Sequence, residues 1–298
     1  MTGPDVLPPL RDGQWSLDEL VLGRGSDYNV SGFVVGAGDL RNQDADYPTA
    51  DGNRYGVDTR AGRLITLEAN VDKYTEAEGL EAADVLEGVW DGEDVRRVPG
   101  AVSVMRWRRG AYVRRAYGRP VDCLPDHSFD WTGNIPYTLT FRTNEPRFYD
   151  DVEQAESVEI IPDEVGGFIP PLVGGTLTMS GQGVGELGFS IGGSRPTWVS
   201  IVVYGPIARP TVTLVDQWSV TLDTTIGRDE YVLIDPTPWG RDVRRSNGGN
   251  AAGYLTADSR TLSQMKLRPG QHAAILRGID PTGTAQAVIY WRDCHAAH

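Results

Sequence analysis

Short apolar segments, each about as long as one β-strand, recur through the second half of this chain of 298 residues. Turn-forming Gly, Pro and Asp residues lie between them, and none of the segments has the period of an amphipathic helix. Many short strands at this spacing are typical of a β-sandwich or jelly roll. The predicted strands are Thr176–Met179, Leu187–Ile191, Trp198–Tyr204, Thr211–Val215, Ser219–Thr224, Tyr231–Asp235, Gln271–Leu276 and Ala285–Trp291.

The end of the chain carries the clearest turn chemistry. A turn at Arg268–Gly270 precedes one apolar strand, and a second turn at Asp280–Gly283 leads into the strand Ala285–Trp291. Proline presets φ and glycine supplies a positive φ, as a chain reversal requires. We therefore predict that the last two strands form a β-hairpin.

The first half combines strands with one helix. Gly62–Val71 is apolar on both faces at its centre, which indicates a strand inside a sheet. Thr75–Trp90 predicts the helix, with Thr75 as its N-cap. The predicted apolar stripe of this helix is Leu80, Ala83, Leu86 and Trp90. A hairpin at Ala101–Tyr117 and a strand at Tyr137–Arg142 complete a mainly β domain, a sandwich or barrel with one packed helix.

Composition and charge restrict the classes of function. Charged residues make up 23% of the chain, as in ordinary globular proteins, and the net charge of −13 argues against nucleic-acid binding as the main role. No apolar run approaches the roughly 20 residues of a membrane span, and the N-terminus lacks the features of a signal peptide. We expect a protein kept in a cytoplasm, without a membrane partner, in which Cys123 and Cys294 are reduced.

The charge is unevenly distributed along the chain. Residues 1–158 hold 17 basic and 28 acidic residues, a net −11, whereas residues 159–298 hold 11 and 13, a net −2. The acidic segment Glu145–Val158 has little pattern of its own and lies between the two parts. These observations predict two domains, residues 1–157 and residues 158–298.

The polar, Gly- and Asp-rich stretch between Gly36 and Thr59 has almost no hydrophobic period. A loop of this length in a compact domain is uncommon and usually functional. We expect an arm that reaches a neighbouring subunit and becomes ordered only there. Its bulky residues Tyr47, Pro48 and Tyr55 are the predicted anchors.

Six arginines are interleaved with aromatic residues in the run Met105–Arg119. One interpretation is a platform for single-stranded nucleic acid. The other is an amphipathic hairpin whose arginines pair with acids of the same chain or of the next subunit, and the acidic surroundings favour it. The candidate interface arginines are Arg106, Arg108, Arg114 and Arg115.

Motifs for catalysis, metals or cofactors are weak. Gly183–Gly188 matches G-x-G-x-x-G, but a strand and a turn follow it where a nucleotide site needs a helix. Two groups of soft ligands for zinc fall in different predicted domains. They are Cys123 with His127, and Cys294 with His295 and His298. No nucleophile elbow is present, so we expect no enzyme activity, no metal and no cofactor.

Four tryptophans of the second half have two interpretations. They either belong to the core or form a platform that stacks on sugars. They are Trp198, Trp218, Trp239 and Trp291.

Several segments occur in an order that spans most of the chain. They are Asp51–Val71, the helix, Ala116–Pro120, Thr140–Asp151, Glu230–Val243 and a terminal segment ending in Trp291-Arg292-Asp293. In this order they resemble the distal tail proteins of long, non-contractile-tailed bacteriophages, the siphoviruses. No single motif is specific, and the order carries the resemblance. Gly36–Thr59 and Asp163–Gly175 align with nothing in it.

The resemblance implies a tail-tube-like N-terminal domain that closes into a hexameric ring, and a C-terminal β-sandwich similar to galectins and carbohydrate-binding modules. It implies a structural protein of the virion tail tip, without catalytic residues, assembled in the bacterial host cytoplasm. The implied partners are further copies of the chain, the tail-tube protein and the tail-tip hub, with DNA passing through an acidic lumen without specific binding. The alternatives are a tail-tube subunit and a protein that binds host glycans through the C-terminal sandwich.

Overall fold

The computed structural model describes residues 7–160, 186–280 and 282–297, and the chain divides into two compact units. The first unit consists of Met1–Asp151 with Cys294–His298, and the second consists of Val152–Asp293. The chain therefore passes between the units twice. The predicted boundary after residue 157 falls inside a strand, Gln154–Glu159, which pairs within the second unit.

Antiparallel strands form most of both units, as predicted. The strands up to Asp150 are β1 (Gln14–Leu17), β2 (Leu20–Gly23), β3 (Tyr28–Val35), β4 (Leu40–Arg41), β5 (Ala45–Asp46), β6 (Asn53–Arg54), β7 (Thr59–Arg60), β8 (Leu64–Asp72), β9 (Ser103–Arg109), β10 (Tyr112–Pro125), β11 (Asn134–Thr143) and β12 (Phe148–Asp150). The later strands are β13 (Gln154–Glu159), β14 (Glu186–Ile191), β15 (Thr197–Tyr204), β16 (Ile207–Leu214), β17 (Trp218–Thr221), β18 (Thr225–Ile226), β19 (Tyr231–Asp235), β20 (Asp242–Arg245), β21 (Lys266–Leu267), β22 (Gly270–Ile279), β23 (Gln286–Trp291) and β24 (Cys294–His295). The α-helices are α1 (Glu76–Asp91) and α2 (Glu93–Arg96), and short 3₁₀ turns occur at His127–Thr132, Ala252–Tyr254 and Leu262–Gln264. No helix of the described residues is long and apolar enough to cross a membrane.

The first unit is built on one nine-stranded sheet. Seven of its strands follow the order β2-β1-β9-β10-β11-β8-β3, β12 pairs with β10, and β24 pairs with β12. β2 and β3 stand at opposite ends of this order, yet only residues 24–27 join them. The sheet must therefore curl until its end strands approach each other. In β8, Ile65, Leu67 and Val71 face the core while Leu64 is exposed, so only one face of this predicted strand is buried.

The predicted helix is present as α1, and Thr75 caps it by accepting a hydrogen bond from the Glu78 backbone N–H at 3.3 Å. Leu86 and Trp90 are buried as predicted, but Leu80 is 46% exposed. The stripe is displaced because Gly79 faces the chain at Gly133, where a Cβ atom would lie only 3.0 Å from the backbone. A small residue on that face allows the close approach, and the bulky Leu80 is turned outward.

The second unit is a β-sandwich, as predicted. One sheet has the order β13-β23-β15-β19-β20 with β21 beside β15, and the other has the order β14-β22-β16-β17 with β18 beside β16. Alternate residues of both sheets form its apolar core, among them Ile201, Leu214 and Ile289. The predicted strand Thr176–Met179 and the stretch Asp163–Gly175 lie outside the described residues.

The predicted terminal hairpin is wrong, because its two strands lie in different sheets. β22 pairs with β14 and β16, whereas β23 pairs with β13 and β15. Turn chemistry predicts that the chain reverses, but it does not select the strand's partner. The Asp280 carboxylate accepts hydrogen bonds from the backbone N–H groups of Thr282, Thr284 and Ala285 at 2.7, 2.7 and 2.8 Å. These bonds hold a connection from one sheet to the other.

The stretch between Gly36 and Thr59 is a hairpin and not an irregular loop. β3 and β8 pair with each other, and β4 with β7 and β5 with β6 continue the hairpin outward. The Tyr47 N–H closes the tip by donating to the Gly52 carbonyl oxygen at 3.2 Å. We call residues 36–60 the arm, and every residue from 39 to 60 is exposed.

Candidate functional site

Arg106 and Arg115 lie directly opposite each other on β9 and β10 and share one carboxylate, that of Asp151. Nε and Nη2 of Arg115 donate to Asp151 Oδ1 at 3.0 and 2.7 Å, and Nη1 of Arg106 donates to Oδ2 at 3.3 Å. Arg106 also donates to Ser16 Oγ at 3.1 Å and to the Pro8 carbonyl oxygen at 2.7 Å. Each arginine is 2% exposed.

This shared carboxylate explains how two cations lie side by side in a sheet. Like charges directly opposite each other on paired strands are destabilising, and a buried cation needs a partner. Burial lowers the pKa of the Arg106 guanidinium, and the charge of Asp151 counteracts that effect. Arg106 and Arg115 have almost no exposed surface in the single chain, and their contact with a neighbouring subunit remains a prediction.

The other two candidate arginines are also occupied within the first unit. Arg108 is half-buried, and its Nη1 donates to the Leu10 carbonyl oxygen at 2.9 Å. Arg114 forms an ion pair with Asp150, and its guanidinium lies 5.3 Å from the centre of the Tyr112 ring. Arg114 is therefore neutralised by an acid of its own unit, whereas Arg108 binds only uncharged carbonyl oxygens among the described residues.

The residues that the sequence interpretation missed are Asp150 and Asp151. The segment Glu145–Val158 is acidic and is therefore predicted to be a linker. It contains β12, which pairs with β10 opposite Arg114 and Arg115. The apolar pair Phe148-Tyr149, both buried, is the sequence signal for that strand.

The arm carries apolar side chains that its own unit leaves uncovered. Leu40, Tyr47, Tyr55 and Val57 are 52%, 49%, 84% and 74% exposed. Isolated exposed apolar residues are ordinary, but a group of them on one protruding hairpin marks an interaction surface. Tyr47 and Tyr55 are thus available for the contact that the sequence predicts, and the contact itself remains a prediction.

The internal histidines contact no nucleophile among the described residues. His127 Nδ1 lies 2.7 Å from Asp130 Oδ2, and His272 Nε2 lies 2.7 Å from the Arg268 carbonyl oxygen. Burial, with a smaller contribution from the charge of Glu87, raises the pKa of the Cys123 thiol to about 12. At neutral pH this thiol stays protonated, which is the unreactive form.

The Cys and His groups weighed as zinc ligands both belong to the first unit, so their assignment to different domains is wrong. Cys294 is buried in β24, which pairs with β12. His295 Nε2 lies 3.2 Å from Asp150 Oδ1. Over the described part of the chain, no group of three or more His, Cys, Asp and Glu side chains is placed to hold a metal ion.

The tryptophans of the second unit mostly belong to the core. Trp198, Trp218 and Trp291 are 6%, 9% and 5% exposed. A sugar-stacking platform needs exposed ring faces, so these three do not form one. Gly188 of the glycine motif lies in β14, a strand, and Gly183 and Gly185 lie outside the described residues.

Comparison with known proteins identifies the fold. No family model and no curated protein matches the sequence. Among solved structures, the Dit protein (gp 19.1) of phage SPP1 matches with a TM-score of 0.62 and 13% identity over 94% of this chain and 98% of that chain. A chain of the phage P2 baseplate, in its activated conformation with calcium, matches with a TM-score of 0.55 and 12% identity over 93% and 97%. The same baseplate with strontium gives 0.54 and 12%.

The SPP1 protein is described as a paradigm of the hub adsorption apparatus in phages that infect Gram-positive bacteria. The match includes both units and nearly the whole length of each chain. The resemblance inferred from the order of segments is therefore confirmed at the level of the fold. This chain has the fold of the phage distal tail protein Dit.

Proposed function

We propose that this chain is a structural subunit of a siphovirus tail tip, and that six copies close into a ring that joins the tail tube to the tail-tip hub around the DNA channel. The observation that carries the proposal is the fold match over 94% of this chain and 98% of the SPP1 Dit protein. A tail-tube subunit explains this match less well, because it leaves the complete second unit, Val152–Asp293, without a role.

Within this proposal the first unit forms the ring. Its arm protrudes and carries uncovered apolar residues, which suit contact with an adjacent copy. Residues 1–158 also carry a net charge of −11. An acidic ring interior repels DNA phosphates, so that the genome passes through without binding.

Host-glycan binding through the second unit is not part of this proposal. Three of the four tryptophans that suggested a sugar site are buried. The proposed role of the chain is mechanical, and its partners are further copies, the tail-tube protein and the hub.

Native mass spectrometry and negative-stain microscopy of the purified full-length chain test the proposal. We expect a species of six chains, visible as a ring with a central channel. A variant lacking residues 42–53 should remain folded, since loop length affects stability weakly, and should form fewer rings. A chain that stays monomeric at all concentrations, both alone and with the tail-tube protein of its phage, contradicts the proposal.

A further inference from the structure

A second pair of arginines lies opposite each other on paired strands, and this pair has no carboxylate between its members. Arg119 of β10 is the register partner of Arg142 of β11. Arg119 donates from Nε to the Ala101 carbonyl oxygen at 3.0 Å and from Nη2 to the Val98 carbonyl oxygen at 2.9 Å. The Arg142 side chain is exposed and has no hydrogen-bond or ion-pair partner among the described residues.

A third arginine joins this pair at the wall of a cavity of about 510 Å³. Arg96 donates from Nη2 to the Val121 carbonyl oxygen at 3.2 Å. Alongside the three arginines, the walls contain only small, apolar or uncharged polar residues, and no acidic side chain. We call this cavity the arginine cleft. It holds three positive charges in a unit whose overall charge is strongly negative.

The arginine pair in the cleft differs from the buried pair Arg106 and Arg115 in whether a carboxylate neutralises it. Both pairs use β10, and in both the two arginines are register partners on paired strands. Asp151 neutralises the buried pair, whereas the described part of the chain supplies no carboxylate to the pair in the cleft. Like charges held together at a concave surface favour an anionic ligand, and guanidinium groups bind carboxylates in a bidentate manner.

The tip of the arm is acidic and is therefore complementary in charge to the arginine cleft. Residues 42–53 contain three aspartates and no basic residue. Asp44 accepts a hydrogen bond from the Gly56 N–H at 2.9 Å within the arm, whereas Asp46 and Asp51 have no side-chain partner among the described residues. Tyr47 lies between these two aspartates in sequence and is exposed, and an aromatic ring stacks well on a guanidinium group.

We propose that the arginine cleft is the receptor for the arm tip of a second copy of this chain, with the carboxylates of Asp46 and Asp51 bound by Arg119 and Arg142. This inference rests on the proposed ring, because the ring supplies the second copy. The arm does not fill its own cleft, since residues 39–60 are all exposed. The cleft is an open groove, and its volume of about 510 Å³ is in the range of ligand-binding pockets.

Charge exchange tests this contact in the full-length chain. Arg142→Glu should weaken self-association, measured by sedimentation velocity, by at least about tenfold. The second change Asp46→Arg should restore most of the loss by re-forming the pair with reversed signs. Arg228→Glu is the matched control, because Arg228 is exposed, lies in the second unit and has no side-chain partner among the described residues.

A stability measurement separates a binding role from a purely structural one. Arg142→Glu places a carboxylate opposite Arg119 and removes a like-charge pair. The urea midpoint of the dissociated chain should therefore rise while assembly weakens. Unfolded or destabilised Arg142→Glu protein would contradict the assignment of the unpaired charge to binding, and Arg142→Gln, which only removes the charge, provides the second test of assembly.

A peptide-binding assay tests the contact between the arm tip and the arginine cleft without requiring ring formation. A fluorescein-labelled peptide of residues 42–54 should bind the variant that lacks residues 42–53, and Arg142→Glu should lower its affinity at least about tenfold in fluorescence anisotropy. Binding of inorganic phosphate without binding of the peptide would make the cleft a small-anion site and overturn the inference. If the chain forms rings but Arg142→Glu and Arg228→Glu behave alike, the inference fails and the proposed function stands. If the wild-type chain never assembles, the proposed function fails and the peptide result alone decides the inference.

Discussion

The two units differ in whether they bury charged side chains. Among the described residues of the second unit, every fully buried side chain is apolar except Thr197, whose hydroxyl donates to the Arg292 carbonyl oxygen at 2.6 Å. The first unit buries Arg106 and Arg115 around Asp151 and leaves residues 39–60 of the arm exposed. The second unit is thus a self-contained apolar sandwich, whereas the first has groups that its own core does not satisfy.

The difference has a physical explanation. An apolar core specifies a fold by volume and pattern, and it makes no demand on a neighbour. The buried ion pairs of the first unit also specify strand register, because a one-residue slip would move Arg106 or Arg115 to the opposite face, away from Asp151. The surface of the first unit retains an uncovered arm and an unneutralised cleft, which are the features expected of a subunit that completes itself by assembly.

Removing a buried side chain from the second unit should give the greatest loss of stability, because it leaves a cavity. Ile289 is fully buried in β23, between β13 and β15. Ile289→Ala should lower the free energy of unfolding of that unit by about 4 kcal/mol, from lost burial and the cavity left behind. Urea unfolding with hydrogen exchange resolved by peptide should show the loss in residues 186–291 and leave assembly through the first unit unchanged. Equal loss in both units would contradict their independence.

Removing the charge of the carboxylate that Arg106 and Arg115 share should lower stability by less than that cavity does. Asp151→Asn leaves Arg106 and Arg115 opposite each other without an anion, and should lower the free energy of unfolding of the first unit by about 3 kcal/mol. Asp258→Asn, an exposed position in the second unit, is the matched control. A loss below about 1 kcal/mol, the range of exposed ion pairs, would show that water screens this network.

Lowering the pH should change stability least, through the Asp280 carboxyl in the connection between β22 and β23. Partial burial raises the pKa of the Asp280 carboxyl, but hydrogen bonds from the Thr282 hydroxyl and from backbone N–H groups outweigh it and lower the pKa to about 2, from 3.8. Because the folded pKa is depressed, the stabilisation is present above the unfolded pKa and is lost as pH falls through about 2.

Carbon-detected NMR of the Asp280 carboxyl should give a midpoint near 2. The stability difference between wild type and Asp280→Asn should be constant above about pH 5 and shrink towards pH 2. A carboxyl that titrates near its ordinary value, with a stability difference independent of pH, would show that these hydrogen bonds do not persist in solution.

Local sequence patterns predicted most strands and the single long helix. The errors concern which strands pair with each other, because pairing joins residues that lie far apart in the sequence. The apolar run Trp198–Tyr204 and the cap at Thr75 are local signals, and both elements occur as predicted. The hairpin over 270–291 was wrong because a turn does not determine which sheet the next strand joins.

The candidate site was harder to predict for the same reason. That Arg106 and Arg115 share Asp151 depends on the pairing of β9, β10 and β12, which composition does not contain. The arm, in contrast, was identified correctly as an unusual exposed stretch, because its lack of hydrophobic period is a local property. Its hairpin structure was missed because pairs as short as β5 with β6 leave no periodic signal.

Hydrogen exchange of the full-length chain, measured in the assembled and dissociated states, tests whether the first unit carries assembly and the second is complete without it. We expect assembly to slow exchange in residues 36–60 and in the strands around Arg119 and Arg142, and to leave residues 186–279 unchanged. Protection confined to the second unit, with an arm that exchanges equally fast in both states, would show that the first unit does not carry assembly.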